Sequence, residues 1–455
     1  MAGGGCIIII GDNMKKNKKK AFTLVELLAV IVILAVILII AIPQIMKTIK
    51  ETKLKTMEDS AKLIATNADK DYLAQQAVNA NYNVTSIPCS DVAKLSDDYS
   101  NCSITYDSNG VATVKLKGAS GGKFDKIKCE GTKDNMNCQE RVLLPGYSDA
   151  VELLIGKYND GTNSEGLIRV QHNKTQNEKY TAVEYRYQGS NPNNYVYFNC
   201  TDNSNPTSST CEIWRIIGLF DGRVKIVRKD SIGSFSWDSS ESSINSGLGI
   251  NQWGHSTYTD GTPYEGADLM RELNGDYLNS SLTANTLWYN GSKDNKDGTF
   301  DINYVLKNNA QKLIGDATWY TGAIYKAHEA TLSLSETYAG ERGTSHVSNP
   351  SDGITRTDVW VGKVGLVYAS DFGYASGNFS CSSNIESCGS NWMTNYGLTI
   401  SSDRISGEYV LYANSSYIYS TYAYPTRAVR PAVYLIPDIQ MKGSGTTSDP
   451  YVFAE

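Results

Sequence analysis

The clearest chemical signal in the sequence is a single carboxylate, Glu26, inside an apolar stretch. Residues 22–42 are otherwise uncharged, and at about 1.5 Å per residue a helix of that length spans roughly 30 Å, the thickness of a bilayer core. An unpaired carboxylate in such a helix costs a few kcal/mol, so it usually has a function. The sequence therefore predicts a function for Glu26. A glutamate that merely extends to the membrane interface is the alternative.

Cysteine chemistry is the second signal. Cys6 precedes the apolar stretch, and the other eight cysteines follow it in short local couples: Cys89 with Cys102, Cys129 with Cys138, Cys200 with Cys211, and Cys381 with Cys388. An even number of cysteines outside the membrane predicts disulfides in an oxidising compartment, although sequence alone leaves their connectivity open. No CxxC motif occurs and the four histidines are scattered singly, so we expect no metal centre.

Catalytic motifs in a supporting context are absent from the sequence. GxSxG, HExxH, phosphate-binding loops and GxGxxG do not occur in the strand-to-helix context that these motifs require. Residues 294–301 have the oxygen density of a calcium loop but lack the terminal glutamate of an EF-hand, which favours a solvated turn. Several tryptophans could line a sugar-binding surface or, as is more frequent, pack in the core: Trp237, Trp253, Trp288, Trp319, Trp360 and Trp392. We therefore expect a non-enzymatic protein without a cofactor.

A basic cluster immediately precedes the apolar stretch, at Lys15, Lys16, Lys18, Lys19 and Lys20. The positive-inside rule keeps this end in the cytoplasm and sends the chain beyond residue 43 outside. A signal peptide would have a shorter apolar core and a small-residue cleavage site after it, so residues 22–42 predict a membrane-spanning helix. The net charge of −6 argues against nucleic acid as the main partner, although a local DNA-binding patch stays open.

The sequence Lys18-Lys-Lys-Ala-Phe22-Thr-Leu-Val-Glu26, continued to Pro43, resembles the N-terminus of type IV prepilins and of type II secretion pseudopilins. In that family a dedicated peptidase cuts before an aromatic residue, commonly Phe, and methylates the new amine. The fifth mature residue is Glu, and a proline follows at mature position 22. Cleavage between Ala21 and Phe22 gives Glu26 and Pro43 those positions. The sequence departs from the family at Ala21, where Gly is preferred.

The resemblance implies partners and a role for Glu26. A prepilin peptidase and other pilin subunits would be partners, together with the membrane before assembly. The carboxylate of Glu26 would pair with the amine of Phe22 on a neighbouring subunit and set the axial register of a filament. Residues 1–21 would be the leader. Because Met14 begins a complete short leader by itself, we expect translation to start there and residues 1–13 not to be translated.

The predicted fold class is α+β, in three parts. A pilin N-terminal helix covers residues 22–76, with Pro43 bending or loosening it. A small disulfide-bounded, pilin-like β head covers residues 80–142 and contains a hairpin around Asp107-Ser-Asn-Gly110. A large, mixed and β-rich extracytoplasmic domain covers residues 143–455.

Several phrases of the large domain resemble a domain that recurs in surface proteins of monoderm bacteria, among them WRIIGLFDGRVKIVRKDSIGSFSWD, GKVGLVYASDFGYA and AVRPAVYL. Its layout resembles C-type-lectin or formylglycine-generating-enzyme-like folds, a likeness that implies no activity. The sequence predicts a hairpin over residues 213–228, short helices at 266–273 and 305–314, and buried strands at 359–368 and 428–436.

Together these features predict a minor pilin that begins as a single-pass membrane protein and ends in a cell-surface filament. Its head would bind a carbohydrate or protein ligand and act in adhesion. Two alternatives remain. The first is a pseudopilin of a type II secretion or competence DNA-uptake apparatus, and the second is a surface enzyme on a pilin anchor.

Overall fold

A computed structural model describes residues 24–454, apart from gaps at 79–81, 83, 85, 88, 120–121, 160–165, 173–182, 240–247, 281–304, 325–332, 348–351, 378–387, 389, 394–395 and 415–416. The chain divides into two compact units, Met1–Thr56 and Met57–Glu455. None of the helices in the described residues is long and apolar enough to cross a membrane. The predicted membrane segment, residues 22–42, falls outside the part of the chain whose side chains are described, Leu28 excepted.

The N-terminal helix α1 (Leu24–Val78) continues through Pro43. A proline removes only one backbone donor, which a helix of 55 residues tolerates. In the second unit its apolar side chains recur every three or four residues and are almost fully buried: Met57, Ala61, Ile64, Ala65, Ala68 and Tyr72. This stripe packs on a small sheet, where the Tyr106 hydroxyl donates to the Ala68 carbonyl at 3.0 Å and the Ala112 amide donates to the Asp69 carboxylate at 2.8 Å.

The small sheet has five antiparallel strands in sequence order: β1 (Ser86–Ile87), β2 (Tyr99–Tyr106), β3 (Ala112–Gly118), β4 (Ile127–Gly131) and β5 (Met136–Glu140). Strands β2 and β3 form the predicted hairpin. In its turn the Asp107 carboxylate accepts the amides of Asn109 and Val111, each at 2.9 Å. This side-chain turn explains why Asp107 marks the hairpin in the sequence.

Disulfides join cysteines that are near neighbours in the chain. Three such bridges lie wholly within the described residues, Cys89–Cys102, Cys129–Cys138 and Cys200–Cys211. Cys388 is also disulfide-bonded, and Cys381 lies outside the described residues. The prediction that the head carries disulfides is therefore confirmed.

The large domain contains the remaining elements. Its strands are β6 (Ser148–Asp149), β7 (Leu167–Gln171), β8 (Val183–Tyr187), β9 (Tyr195–Phe198), β10 (Glu212–Phe220), β11 (Arg223–Arg228), β12 (Ser234–Phe235), β13 (Ser256–Tyr258), β14 (Pro263–Tyr264), β15 (Ala317–Tyr320), β16 (Ala323–Ile324), β17 (Ile354–Thr355), β18 (Val359–Gly362), β19 (Val364–Gly365), β20 (Gly397–Asp403), β21 (Tyr409–Asn414), β22 (Tyr417–Tyr422), β23 (Arg427–Ala428), β24 (Ala432–Tyr434), β25 (Gln440–Lys442) and β26 (Tyr451–Ala454). Its helices are α2 (Ala150–Asn159), α3 (Asp268–Glu272), α4 (Asn308–Lys312), α5 (Leu334–Glu341) and α6 (Ala369–Tyr374), and a π-helical turn (Leu273–Tyr277) follows α3.

A ten-stranded sheet forms the centre of this domain. Eight strands follow the order β19-β24-β11-β10-β9-β26-β25-β6, while β8 pairs with both β10 and β7. Strands β9 and β26 pair in parallel. They are far apart in the chain, so no hairpin connects them. The β10–β11 hairpin confirms the one predicted over residues 213–228. A four-stranded sheet, β16-β20-β21-β22, lies in the same compact unit.

Two predicted strands are shorter than expected. Residues 359–368 change pairing partner at Lys363, since β18 pairs with β15 and β19 pairs with β24. Residues 428–436 are interrupted at Pro431, which has no backbone donor for a ladder. The helices predicted at 266–273 and 305–314 shorten to α3 and α4.

The core is rich in tryptophan. Three of the tryptophans weighed as possible sugar-binding residues, Trp237, Trp253 and Trp319, are at most 1% exposed, and so is Trp214 of β10, which was not among them. Trp360 and Trp392 are also buried, and Trp288 lies outside the described residues. Core packing is therefore the role of these large rings.

Ion pairs connect the small sheet to the large domain. Lys117 on β3 bonds Asp149 on β6, and Arg141 donates to the same carboxylate at 2.5 Å. Lys128 on β4 donates to Asp438 at 2.9 Å. Because Lys117 and Asp149 are both almost fully buried, this junction fixes one module on the other within the second unit.

Candidate functional site

The residues predicted for processing and assembly belong to the N-terminal region. Ala21 and Phe22 lie outside the described residues. Glu26 and Pro43 lie on α1, where the backbone is helical and their side chains are not described. Two other arrangements, both in the second unit, bring polar groups together. One is a buried network of charged side chains, and the other is a cleft at the end of β9.

Asp371, in the first turn of α6, is the centre of the buried network. Lys225 on β11 donates to its Oδ2 at 2.6 Å, and Arg186 on β8 donates to its Oδ1 at 2.8 Å. Burial raises the pKa of Asp371, but the two cations outweigh burial and hold that pKa well below its usual range. Burial lowers the pKa of Lys225 to about 8, against the opposing effect of Asp371.

Glu184 on β8 is the second buried carboxylate. Arg186 donates from Nε to its Oε2 at 2.7 Å, and His172 Nε2 lies 3.1 Å from the same oxygen. The Tyr338 hydroxyl donates to Oε1, and its ring stacks on His172 with centroids 3.6 Å apart. Burial raises the pKa of Glu184, but Arg186 and His172 outweigh it and bring that pKa to about 2.

Glu341, at the end of α5, is the third buried carboxylate. Arg342 donates to its Oε2 at 3.0 Å, the Ser401 hydroxyl to its Oε1 at 2.6 Å, and the Ser370 amide to its Oε1 at 3.0 Å. The Arg342 guanidinium lies 3.7 Å from the ring centroid of Tyr338. Burial raises the pKa of Glu341 although Arg342 opposes it.

The network fixes four elements of the large domain to one another. Its charged residues lie on β8 and β11 and at the adjoining ends of α5 and α6. Perturbed pKa values often mark active sites. Here, however, the three carboxylates are at most 2% exposed, so a substrate cannot reach them. The arrangement is structural, and removing one partner of such a set leaves an uncompensated buried charge.

Sequence reasoning missed this network. The only local signal is the presence of charged residues within strands that are otherwise aromatic or aliphatic, at Glu184 and Arg186 in β8 and at Lys225 in β11. Nothing near these residues in the chain identifies Asp371 as their partner, because α6 begins nearly 150 positions after Lys225.

His172 makes the stability of the large domain sensitive to acid. Burial lowers the pKa of His172 below its ordinary value of 6.5, and its bond to Glu184 opposes this only in part. In the unfolded chain the imidazole takes up a proton near pH 6.5, but in the folded domain it does so only at lower pH. The free energy of unfolding therefore falls as the pH drops below 6.5, by at most about 1.4 kcal/mol per pH unit from this group.

Urea unfolding at pH 7.5 and pH 5.5 measures this contribution. The His172 ring is also faced by Arg186, Arg342, Tyr338 and Tyr374. The contribution of His172 to the pH dependence of stability is therefore measured as the difference between wild type and His172→Gln. We expect the variant to lose less stability on acidification. The exposed His255 gives the matched control, His255→Gln. Equal loss of stability on acidification in wild type and in His172→Gln would show that His172 is not the source of the acid sensitivity.

A cleft of about 270 Å³ lies at the carboxyl end of β9. We call it the β9–α4 cleft and define it by Tyr147, Tyr197 on β9, Phe453 on β26, Asn203 and Asn309 on α4. Tyr197 and Val452, which are paired across β9 and β26, both line the cleft. The loop closed by the Cys200–Cys211 disulfide forms one wall, and α4 forms another.

Asn199 fixes the walls of the β9–α4 cleft. It has a φ of +53°, a left-handed conformation that Asn tolerates better than most residues. Its side chain donates to the Val305 carbonyl at 2.9 Å and accepts the Lys307 amide at 2.7 Å. Asn309 donates to the Cys200 carbonyl at 2.8 Å and to Asn203 Oδ1 at 2.9 Å. The disulfide loop and α4 are therefore joined before any ligand arrives.

Metal binding receives no support in the described part of the chain. No group of three or more His, Cys, Asp or Glu side chains there could hold a metal ion. The stretch weighed as a calcium loop, residues 294–301, lies outside the described residues.

Comparison with protein families identifies the N-terminal segment. Residues 16–42 match the family model described as the prokaryotic N-terminal methylation motif. The chain carries a type IV pilin-like methylation motif. The match supports assignment to the type IV pilin and pseudopilin family, and it covers the predicted cleavage site, Glu26 and the apolar stretch. No significant match was found among curated proteins or among solved structures.

Pilin-type processing follows from this motif. It implies cleavage by a prepilin peptidase, assembly with other pilins, and a chain that is anchored in a membrane before it reaches a surface filament. The match ends at residue 42, so the role of the large domain has to be inferred from its own geometry.

Proposed function

We propose that the chain is a minor pilin of a type IV-like surface filament and that its large head binds a ligand. The observation that carries the proposal is the methylation motif at residues 16–42, which leads into the 55-residue helix α1. The chain beyond α1 is far larger than a minimal pilin head. Every subunit of a densely packed filament must fit beside its neighbours without steric clashes. Such a large head therefore suits a minor subunit, for example one at the filament tip.

The assembly role rests on the N-terminal residues. Cleavage between Ala21 and Phe22 frees the amine of Phe22, and Glu26 of a neighbouring subunit pairs with it. Two opposite charges in a low-dielectric environment attract strongly but are costly to desolvate, so the pair contributes more to axial register than to net stability.

We propose a binding role, and not a catalytic one, for the head. The three carboxylates of its charged network are enclosed in the core, whereas the β9–α4 cleft is open and lined by uncharged side chains. A concave site with aromatic walls and a few polar groups is the usual form of a ligand-binding site. Adhesion would follow if the ligand lies on another surface.

Fractionation of cells tests the pilin role. Surface filaments are sheared from wild-type cells and from cells without prepilin peptidase, and the chain is detected with an antibody against the head. We expect the chain in the sheared fraction of wild-type cells only, and in the membrane fraction of both strains. Equal amounts in both sheared fractions would contradict the proposal.

A further inference from the structure

The β9–α4 cleft differs from the rest of the head in its lack of charge. Although charged residues make up 20% of the chain, none of the described residues that line this cleft is charged. The nearest ammonium groups already have partners, because Lys442 lies 4.8 Å from the ring centroid of Tyr147 and Lys307 donates to the Asn199 carbonyl at 3.0 Å. A charged ligand would therefore lose hydration there without a counter-ion among the lining side chains. The cleft therefore favours a neutral ligand.

Aromatic rings and amides provide the contacts in this cleft. The rings of Tyr147, Tyr197 and Phe453 offer apolar faces, and Asn203 and Asn309 offer planar amide edges. A ligand that fits these groups has an apolar face for a ring and hydroxyls around its edge for amides and phenols. Pyranose sugars have that combination.

The size and rigidity of the cleft further restrict the class of ligand that can bind there. Its volume of about 270 Å³ lies just below the roughly 300–1,000 Å³ of sites for drug-sized ligands, which suits one or two sugar rings. The Cys200–Cys211 disulfide and the bonds from Asn309 hold the walls in place. Binding then costs little conformational entropy, because the groups are already ordered.

We propose that the β9–α4 cleft binds a neutral mono- or disaccharide. The proposal deepens, and rests on, the ligand-binding role of the head. Tyr197 stacks against one face of a sugar ring, and Asn203 donates its amide N–H groups to the ring hydroxyls. Asn309 keeps Asn203 oriented through the bond to its Oδ1.

Ligand-observed NMR on the full chain tests this site. The chain is purified in a zwitterionic detergent, because glycoside detergents would compete for the cleft. The probes are neutral hexoses, N-acetylhexosamines and their disaccharides, with glucuronic acid and N-acetylneuraminic acid as anionic controls. We expect saturable binding of at least one neutral probe and of neither acid.

Two cleft variants and one matched control decide where the probe binds. We expect Tyr197→Leu, which removes the ring and keeps an apolar side chain, to weaken binding about tenfold or more. Asn203→Ala should weaken it about threefold to tenfold. Tyr419→Leu removes an exposed tyrosine of β22, outside the cleft, and should leave affinity unchanged. Circular dichroism confirms that each variant is folded.

Four outcomes would overturn the proposal: no binding of any neutral saccharide, preference for the acids, equal affinity of wild type and Tyr197→Leu, or binding of short peptides in place of sugars. Because the measurement uses unassembled chain, it does not depend on cleavage or filament assembly. Failure here would leave the pilin role standing, and failure of the fractionation test would leave this result unchanged.

Discussion

Asp371→Ala is expected to destabilise the large domain by about 3–5 kcal/mol, because it leaves buried cations uncompensated. Lys225 and Arg186 both donate to this carboxylate, and all three side chains are at most 1% exposed. Typical domains are stable by only about 5–15 kcal/mol, so the loss would remove a large part of the total. Urea unfolding followed by tryptophan fluorescence measures it.

A matched variant and a double-mutant cycle make this test specific. Asp316→Ala removes an exposed carboxylate of the same domain and should change stability by less than about 0.5 kcal/mol. Lys225→Met should cost less than Asp371→Ala, because Arg186 still pairs with Asp371. The double variant should cost less than the sum of the two single changes. Additive effects, or an Asp371→Ala variant as stable as Asp316→Ala, would show that the network does not hold the domain together.

Glu26→Ala is expected to leave the chain in the membrane and remove it from filaments. Loss of one carboxylate from the apolar stretch makes insertion more favourable, whereas the proposed pair with the Phe22 amine of a neighbouring subunit could no longer form. We expect at least about a tenfold decrease of the chain in the sheared fraction, equivalent to roughly 1.4 kcal/mol or more of lost assembly free energy. Quantitative immunoblots of sheared and membrane fractions measure both quantities.

Glu51→Ala is the matched control for Glu26→Ala. Glu51 lies on the same helix, where it is exposed and forms only a loose pair with Lys47 at 3.8 Å. Its removal should therefore leave incorporation near wild type. If Glu26→Ala entered filaments as well as Glu51→Ala does, the register role of Glu26 would be wrong.

Features that depend on residues close together in the chain could be predicted from the sequence. The methylation motif at residues 16–42 is a short linear pattern, so it could be recognised without a fold. The hairpin around Asp107 and the one at Asp221-Gly222 depend on turns whose residues are adjacent. Disulfides between near neighbours in the chain follow the same logic, and Cys89–Cys102 is one of them.

Features that depend on distant partners could not be predicted. The cleft combines β9 with β26, which pair in parallel although about 250 residues separate them. Asp371 completes the charged network only because α6 packs beside β8 and β11. A charged residue within a strand normally indicates a solvated face, so the one local signal at Lys225, its place in an apolar strand, does not predict that it is buried. The C-type-lectin or formylglycine-enzyme likeness of the large domain stays a prediction.

The central claim is that a prepilin peptidase matures this chain, and the N-terminal peptide of assembled protein tests it most directly. Protein sheared from the cell surface is digested, and the N-terminal peptide is identified by mass spectrometry. The account predicts a mature chain that begins at Phe22, with one methyl group on its amine, and no peptide from residues 1–21. An intact terminus at Met1 or Met14 on surface-assembled protein would contradict it.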